Sequence, residues 1–399
     1  MIIDEVLDRQ LDVQSDKVFF CTRCVNSNLR PRLKFNEKGE CDACQYAHEK
    51  EHTIDWKARE NELLTLLGKH RSKNGSYDVV VPASGGKDSS YVAHQLKHIY
   101  GMHPLTVTWT PHMYTDIGWK NLQSMIDAGF DNILFRPSGL LHRKISKLAL
   151  ELLGDSFEGW AYGAKAYPLH MAIKHRVPLV FYGENQMAEY GGVVESKYRS
   201  HDNFTEWDKI VYKGQRGIET LIEKGLEYGR LTKEEVKDSA ATLALYKLPP
   251  IADIQKIGLE SHWFSYYKKW MPQENYYYAQ KHCGFEPNPD GRSEGTYSKY
   301  ASLDDKTDGF HFYMQFIKFG FGRCTSEAAM EIRCGHITRE EGVALVRKYD
   351  GEFPGKYFKE YLEYLNITED EFRRIVDKFR NRDVFKKVNG EWKLKYQVE

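Results

Sequence analysis

The 399-residue sequence has no excess of either charge: Lys plus Arg and Asp plus Glu each number 57. Polyanion-binding surfaces usually draw on a basic excess, so no nucleic-acid partner is expected. No run of about 18 apolar residues occurs, and no membrane span is expected. Met1 to Ser15 is mixed and acidic and lacks the apolar stretch of a secretory signal, so none is expected. Internal repeats and low-complexity tracts are also missing. Cysteine is sparse and odd in number, with seven residues, four of them in a metal-like spacing. That usage suits a reducing compartment, and a cytoplasmic protein is expected. Apolar material is plentiful: 41% of residues are hydrophobic and 14% aromatic. A chain of this length and content can build roughly two or three globular units.

The order of patterns divides the chain. Residues 16–50 hold the clustered cysteines. Ile54, Trp56, Leu63, Leu64, Leu66 and Leu67 space a linking amphipathic helix over 54–70. Strand patterns at 77–82, 105–110, 132–135 and 177–182 then alternate with helical ones at 89–100, 118–129 and within 139–175. Such alternation over 54–190 predicts an α/β domain, a parallel sheet flanked by helices. Residues 190–300 are irregular, polar and rich in Tyr and Trp, and read as a functional insertion carrying substrate contacts. Residues 300–399 read as a mainly helical region, with helices at 308–319, 325–334, 338–348 and 368–380. Gly335 and Gly351 read as helix stops, and Thr338 with Glu341 as a capping box.

The densest chemical signal is Ala83-Ser84-Gly85-Gly86-Lys87-Asp88-Ser89, placed after the apolar run Val79-Val80-Val81-Pro82 and before a helix. Glycines let backbone amides close on an anion, and a helix start adds free donors and a favourable dipole. Ser84 and Ser89 add hydroxyls, Lys87 a positive charge and Asp88 a candidate metal ligand. The Walker A pattern is excluded, because Asp88 follows Lys87 and Val81 stands where its first glycine belongs. Other parts of a nucleotide site should lie at the carboxyl ends of neighbouring strands. There, Trp109 is a candidate adenine contact through its backbone and equally a candidate core residue. Gly183, Glu184 and Asn185 end the fourth strand, where they can meet nucleotide, metal or substrate, or form a polar turn capped by the Asn.

Cys21-x2-Cys24 and Cys41-x2-Cys44, sixteen residues apart, carry the spacing of a four-cysteine zinc site. Four protein ligands leave no open position, so a structural ion is expected. Leu33 to Cys41 suggests a hairpin feeding the second pair. Cys283, Cys324 and Cys334 show no such spacing.

Ser-Gly-Gly-Lys-Asp-Ser at 84–89 resembles the PP-loop signature of enzymes that cleave ATP between its α and β phosphates. Several further segments narrow the likeness: 114–121, Tyr182-Gly183-Glu184-Asn185-Gln186, Lys318-Phe319-Gly320-Phe321-Gly322-Arg323 and 332–341. With the cysteine module, they resemble the N-acetyl sugar amidotransferases of bacterial surface-glycan biosynthesis, of the WbpG and PseA type. The resemblance runs from about Phe20 to about Phe353. It implies an adenine nucleotide alpha-hydrolase-like fold and conversion of a sugar acetamido group to an acetamidino group. The implied substrate is a nucleotide sugar of lipopolysaccharide O-antigen synthesis or a pseudaminic acid derivative. The implied cofactors are ATP, Mg²⁺ and structural zinc. The implied partner is a separate glutaminase like that of histidine biosynthesis, often with a cyclase-like companion.

Amide oxygen is a poor leaving group, so its adenylation would precede attack by ammonia. Lys318 and Arg323 are candidates for stabilising charge near the α-phosphate, beside the catalytic candidates Lys87, Asp88 and Glu184. Asn185, Lys299 and Asp305 are candidate substrate contacts, and Tyr297, Asp304 and His311 stand in the same neighbourhood. Position 2 is Ile, which excludes an N-terminal cysteine glutaminase. Gly322-Arg323-Cys324-Thr325-Ser326 lacks the last glycine of a nucleophile elbow. Ammonia is therefore expected from a partner or from solution. The alternative reading is a tRNA thiolation enzyme, which shares the loop and the cysteine pairs. The neutral charge and the missing third Cys-x2-Cys weigh against it.

Overall fold

Five short strands build the central sheet: β1 (Val79–Pro82), β2 (Pro104–Trp109), β3 (Asn132–Phe135), β4 (Leu179–Tyr182) and β5 (Glu260–Trp263). The computed structural model describes residues 2–12, 17–192, 194–207, 217–301 and 303–399. All neighbouring strands pair in parallel, in the order β3-β2-β1-β4-β5. Val79 and Val81 pack with Leu63, Leu67 and Val92, whereas Val80 packs with Leu105, Val107 and Leu148. Successive side chains of a strand alternate between faces, so a strand covered on both sides reads as a continuous apolar run. The chain grows outward from β1 to β3, then crosses to β4 on the other side of β1. The order reverses between β1 and β4, and open α/β sheets bind ligands in the crevice at such a reversal, beyond the strands' carboxyl ends.

The alternating pattern thus yields a mixed α/β architecture, with sheet helices at Lys87–His94, Asp116–Asp127, Gly139–Leu153 and Glu158–His175. Residues 190–300 correct the expectation of irregular structure. They supply β5 and the helices Ile218–Glu227 and Pro272–Cys283. Residues 193 and 208–216 of that stretch lie outside the described residues. β5 escapes a periodicity reading because two of its three buried residues, Ser261 and His262, are polar. Ser261 donates to Asp202 at 3.2 Å, and His262 Nδ1 lies 2.8 Å from the Tyr267 hydroxyl. A polar side chain with a buried partner loses the penalty that otherwise keeps it at the surface.

The C-terminal region is helical at Asp308–Phe319, Arg323–Arg333, Arg339–Tyr349, Phe358–Leu365 and Glu369–Phe379. Thr338 and Glu341 form the expected capping box. The chain then adds a hairpin that the helical expectation lacked, β6 (Phe385–Val388) with β7 (Glu391–Leu394). Its turn is Asn389-Gly390, both at positive φ, the geometry that matches strand twist in a two-residue turn. The cysteine module packs against this region. Val25, Leu33 and Ala43 share a core with Ala328, Ala329, Ile332, Val343 and Val346.

Candidate active site

The loop after β1 sits at the order reversal, and its backbone is shaped by one glycine in particular. Gly85 has φ +84, and a Cβ there would lie 2.4 Å from Leu122 Cα. No side chain fits, so the loop lies directly on the start-to-middle turns of the Asp116–Asp127 helix. Gly86 is the N-cap of the Lys87–His94 helix and supplies no side-chain cap. First-turn amides at such an end are available to an anion. Ser84, Gly85, Gly86, Lys87 and Asp88 line a cavity of about 140 Å³ together with Asn121, Tyr300, Asp304 and Arg323.

The charges around this cavity are closely coupled. Lys87 pairs with Asp88, and Asn275 Nδ2 donates to Asp88 Oδ1 at 3.0 Å. The Lys87 ammonium stands 5.6 Å from the centre of the Tyr300 ring. Burial, then the charge of Asp88, pushes the Glu184 carboxyl up to about 7, and Lys87 and Lys165 offset part of that. Asp88 lines the cavity, and Glu184, which does not, lies within its electrostatic reach, so carboxylate oxygens of the kind a divalent cation takes are present. Burial, with Asp308 and Asp305, lifts Asp304 to about 6, and a hydrogen bond with Ser84 opposes the rise. Arg323 opens the helix Arg323–Arg333, pairs with Glu327 at 2.6 Å and keeps its side chain partly exposed.

Several expected site residues are diverted by burial. Lys318 does not line the cavity; its ammonium is buried and bonds Asp8 at 2.8 Å and the Leu153 carbonyl at 3.0 Å. A buried ammonium needs such partners, and this corrects its expected place beside the phosphates. Asn185 takes the polar-turn alternative. Its Oδ1 accepts from the Met187 amide at 3.1 Å, and its Nδ2 donates to the Ser196 carbonyl at 3.0 Å. Asp305 is also committed. It accepts from the His112 amide at 2.7 Å and the Thr307 amide at 2.8 Å, and with His112 Nδ1 beside it the carboxyl is held below its usual range. The Trp109 ring is core, stacked 5.4 Å from Phe135. Lys299 is exposed, and its ammonium lies 6.0 Å from the Tyr276 ring. Ser89 turns its hydroxyl back to the Gly86 carbonyl at 3.1 Å, which leaves Ser84 as the loop hydroxyl facing Asp304. Gly183 approaches Trp270: a Cβ there would stand 2.9 Å from its ring. Among residues that sequence reading did not tie to the loop, Tyr300, Asp304 and Asn275 reach it from outside the sheet domain. No spacing in the sequence connects them to residues 84–89.

The second centre is the cysteine cluster. The four sulfurs of Cys21, Cys24, Cys41 and Cys44 lie within 4.8 Å of one another. Cys21 and Cys44 are 3.8 Å apart, and Cys24 and Cys41 are 3.7 Å apart. A tetrahedron with zinc–sulfur bonds of about 2.3 Å has edges of about 3.8 Å, so the set could hold zinc. Backbone amides support the sulfurs: Cys41 N donates to Cys21 Sγ at 3.2 Å and Arg23 N at 3.4 Å. The expected hairpin is present as the antiparallel bridge between Phe35 and Cys41.

Residues 294–398 match the model of a family described as LPS biosynthesis protein WbpG-like, C-terminal domain. No curated protein matches the chain. The matched segment contributes Tyr300, Ala301, Leu303, Asp304 and Arg323 to the loop cavity. No helix among the described residues is long and apolar enough to cross a membrane.

Proposed function

We propose, taking residues 294–398 as a WbpG-like C-terminal domain, that the chain is an ATP-dependent N-acetyl sugar amidotransferase of lipopolysaccharide biosynthesis. One observation carries the reading. A glycine loop at the sheet's reversal point and the WbpG-like segment line a single cavity, with Lys87 and Asp88 on one side and Tyr300, Asp304 and Arg323 on the other.

In this reading the amides of Gly85 and Gly86, the Ser84 hydroxyl and Lys87 take the leaving pyrophosphate of ATP. Asp88 and Glu184 would hold Mg²⁺, which supplies charge neutralisation on the phosphates when bound. Arg323 offsets charge developing near the α-phosphate. The acetamido oxygen attacks the α-phosphorus, and the bond to pyrophosphate breaks. Ammonia then adds at the activated carbon, AMP leaves with the former amide oxygen, and loss of a proton completes the amidine. Zinc in the four-cysteine cluster is structural, holding the N-terminal module on the C-terminal helices. Ammonia comes from a separate glutaminase subunit, with a cyclase-like companion as a further partner.

The test is incubation with ATP, Mg²⁺, ammonium and acetamido nucleotide sugars, followed by mass analysis. AMP, pyrophosphate and a sugar about one dalton lighter, from exchange of oxygen for NH, are expected. ADP with phosphate in place of AMP and pyrophosphate, or AMP release with no change in the sugar's mass, would refute the assignment.

A further inference from the structure

A second cavity, of about 380 Å³, adjoins the loop cavity and shares Leu303 and Arg323 with it. Its volume falls within the range of about 300–1,000 Å³ typical of small-molecule sites. Its walls come from the first turn of the Asp116–Asp127 helix, the segment 288–294, the start of the Asp308–Phe319 helix and the strap 354–357. Lys306, Lys356 and Tyr357 line this second cavity and not the first.

The two lysines share one ring: the Lys306 and Lys356 ammonium groups lie 5.2 and 5.0 Å from the centre of Tyr357. Their own ion pairs are replaceable. Lys306 stands 3.8 Å from Glu360, longer than the roughly 2.8 Å of a charge-assisted hydrogen bond. Lys356 pairs with Asp290 at 2.6 Å, but both side chains are exposed, 45% and 63%, where such a pair holds weakly. Of the other charges, Asp116 is exposed at the cavity's edge, while Arg292, Asp305 and Glu294 are committed to partners. Arg292 grips Glu352 through two bonds of 2.7 and 2.8 Å, and Asp305 is bonded to backbone amides. Glu294 accepts from the Lys356 amide at 3.1 Å.

We propose that the second cavity is the acceptor site, and that Lys306 and Lys356 beside Tyr357 bind an anionic group, carboxylate or diphosphate, of an acetamido sugar. The inference rests on the amidotransferase reading. The sugar packs against Tyr357 with its anion on the lysines, and its acetamido group is directed toward the loop past Leu303 and Arg323, which line both cavities. An aromatic face with flanking cations suits a sugar ring that carries negative charge.

Calorimetric titration of the full chain tests this with three probes: UDP-N-acetylglucosamine, N-acetylneuraminic acid and neutral methyl N-acetylglucosaminide. At least one anionic probe should bind more tightly than the neutral one. Lys306→Gln combined with Lys356→Gln should weaken that binding by about tenfold or more, the scale of a lost charged hydrogen bond. Affinity for an ATP analogue resistant to α–β cleavage should not change. Binding of UDP-N-acetylglucosamine alone identifies a diphosphate as the recognised anion, and binding of N-acetylneuraminic acid alone a carboxylate. Equal affinity of the anionic probes for wild type and the double variant, or binding no tighter than the neutral sugar, overturns the proposal. Nucleotide products are measured in parallel. AMP formation without lysine dependence sinks this inference alone, whereas ADP formation with lysine-dependent sugar binding sinks only the amidotransferase reading.

Discussion

Replacing Glu184 by Gln should stabilise the ligand-free protein at alkaline pH while impairing its use of Mg²⁺ and ATP. Burial and the neighbouring Asp88 raise the Glu184 carboxyl from 4.5 to about 7. Between these two values the folded protein still holds a proton that the unfolded chain has released. The folded state therefore binds more protons, and its stability falls as pH rises through that window. Above pH 7 the full penalty is present. At about 1.4 kcal/mol per unit the shift is worth about 3 kcal/mol as a ceiling, and some solvent contact at Glu184 reduces it to about 1–2 kcal/mol. Gln carries no charge and should escape the penalty. Urea unfolding at pH 5 and pH 8 reads the effect as a wild-type-to-variant difference, so other titrating groups cancel. The variant should gain stability at pH 8 relative to its difference at pH 5. Mg²⁺ with a non-cleavable ATP analogue should reverse the order, because a cation on Asp88 and Glu184 favours the ionised carboxylate. An unchanged wild-type-to-variant difference across pH would refute the electrostatic argument.

Other expectations follow from the same geometry. Asp88→Ala should cut turnover by about 10²-fold or more, the scale of losing one oriented charge-stabilising group, read as AMP released per enzyme. Cys41→Ser should lose bound metal and unfold the N-terminal module at lower temperature, and an absence of zinc from the intact protein on elemental analysis would disprove the cluster's assigned role. Lys318→Met should destabilise the protein by about 3 kcal/mol, since the buried Asp8 loses the ammonium that bonds it, while the KM for ATP stays constant; a changed KM with unchanged stability would return Lys318 to the site. The chain alone should use ammonium and ignore glutamine, and glutamine hydrolysis by the purified chain would contradict a separate glutaminase.

How much of this was legible in the sequence depends on the range of the interactions involved. Residues 84–89 could be read because a glycine turn between a buried strand and a helix is a local device: its φ angles and free amides are set within a few residues. The cysteine pairs were legible for the same reason, since each Cys-x2-Cys turn presents two sulfurs without help from the rest of the chain. The apolar strands β1 and β4 announced themselves because both faces of a parallel sheet are buried. The Asn389-Gly390 turn was equally local and marks a hairpin that helical patterning alone passed over.

Tertiary structure decided the remainder. Whether Lys318 meets a phosphate or Asp8 depends on residues 310 positions apart in sequence. Asp305 is held by His112, 193 positions away, and Asn275 reaches Asp88 across 187. Tyr300, Asp304 and Arg323 come to the loop because the C-terminal segment packs over the sheet's reversal point, with Asp304 Cα so close to Gly118 that a Cβ there would lie 2.4 Å away. A charged side chain's role follows from the partner that compensates its desolvation. That partner is chosen by the packing of distant segments, and so the local sequence names the chemistry available while the fold determines which groups are free to perform it.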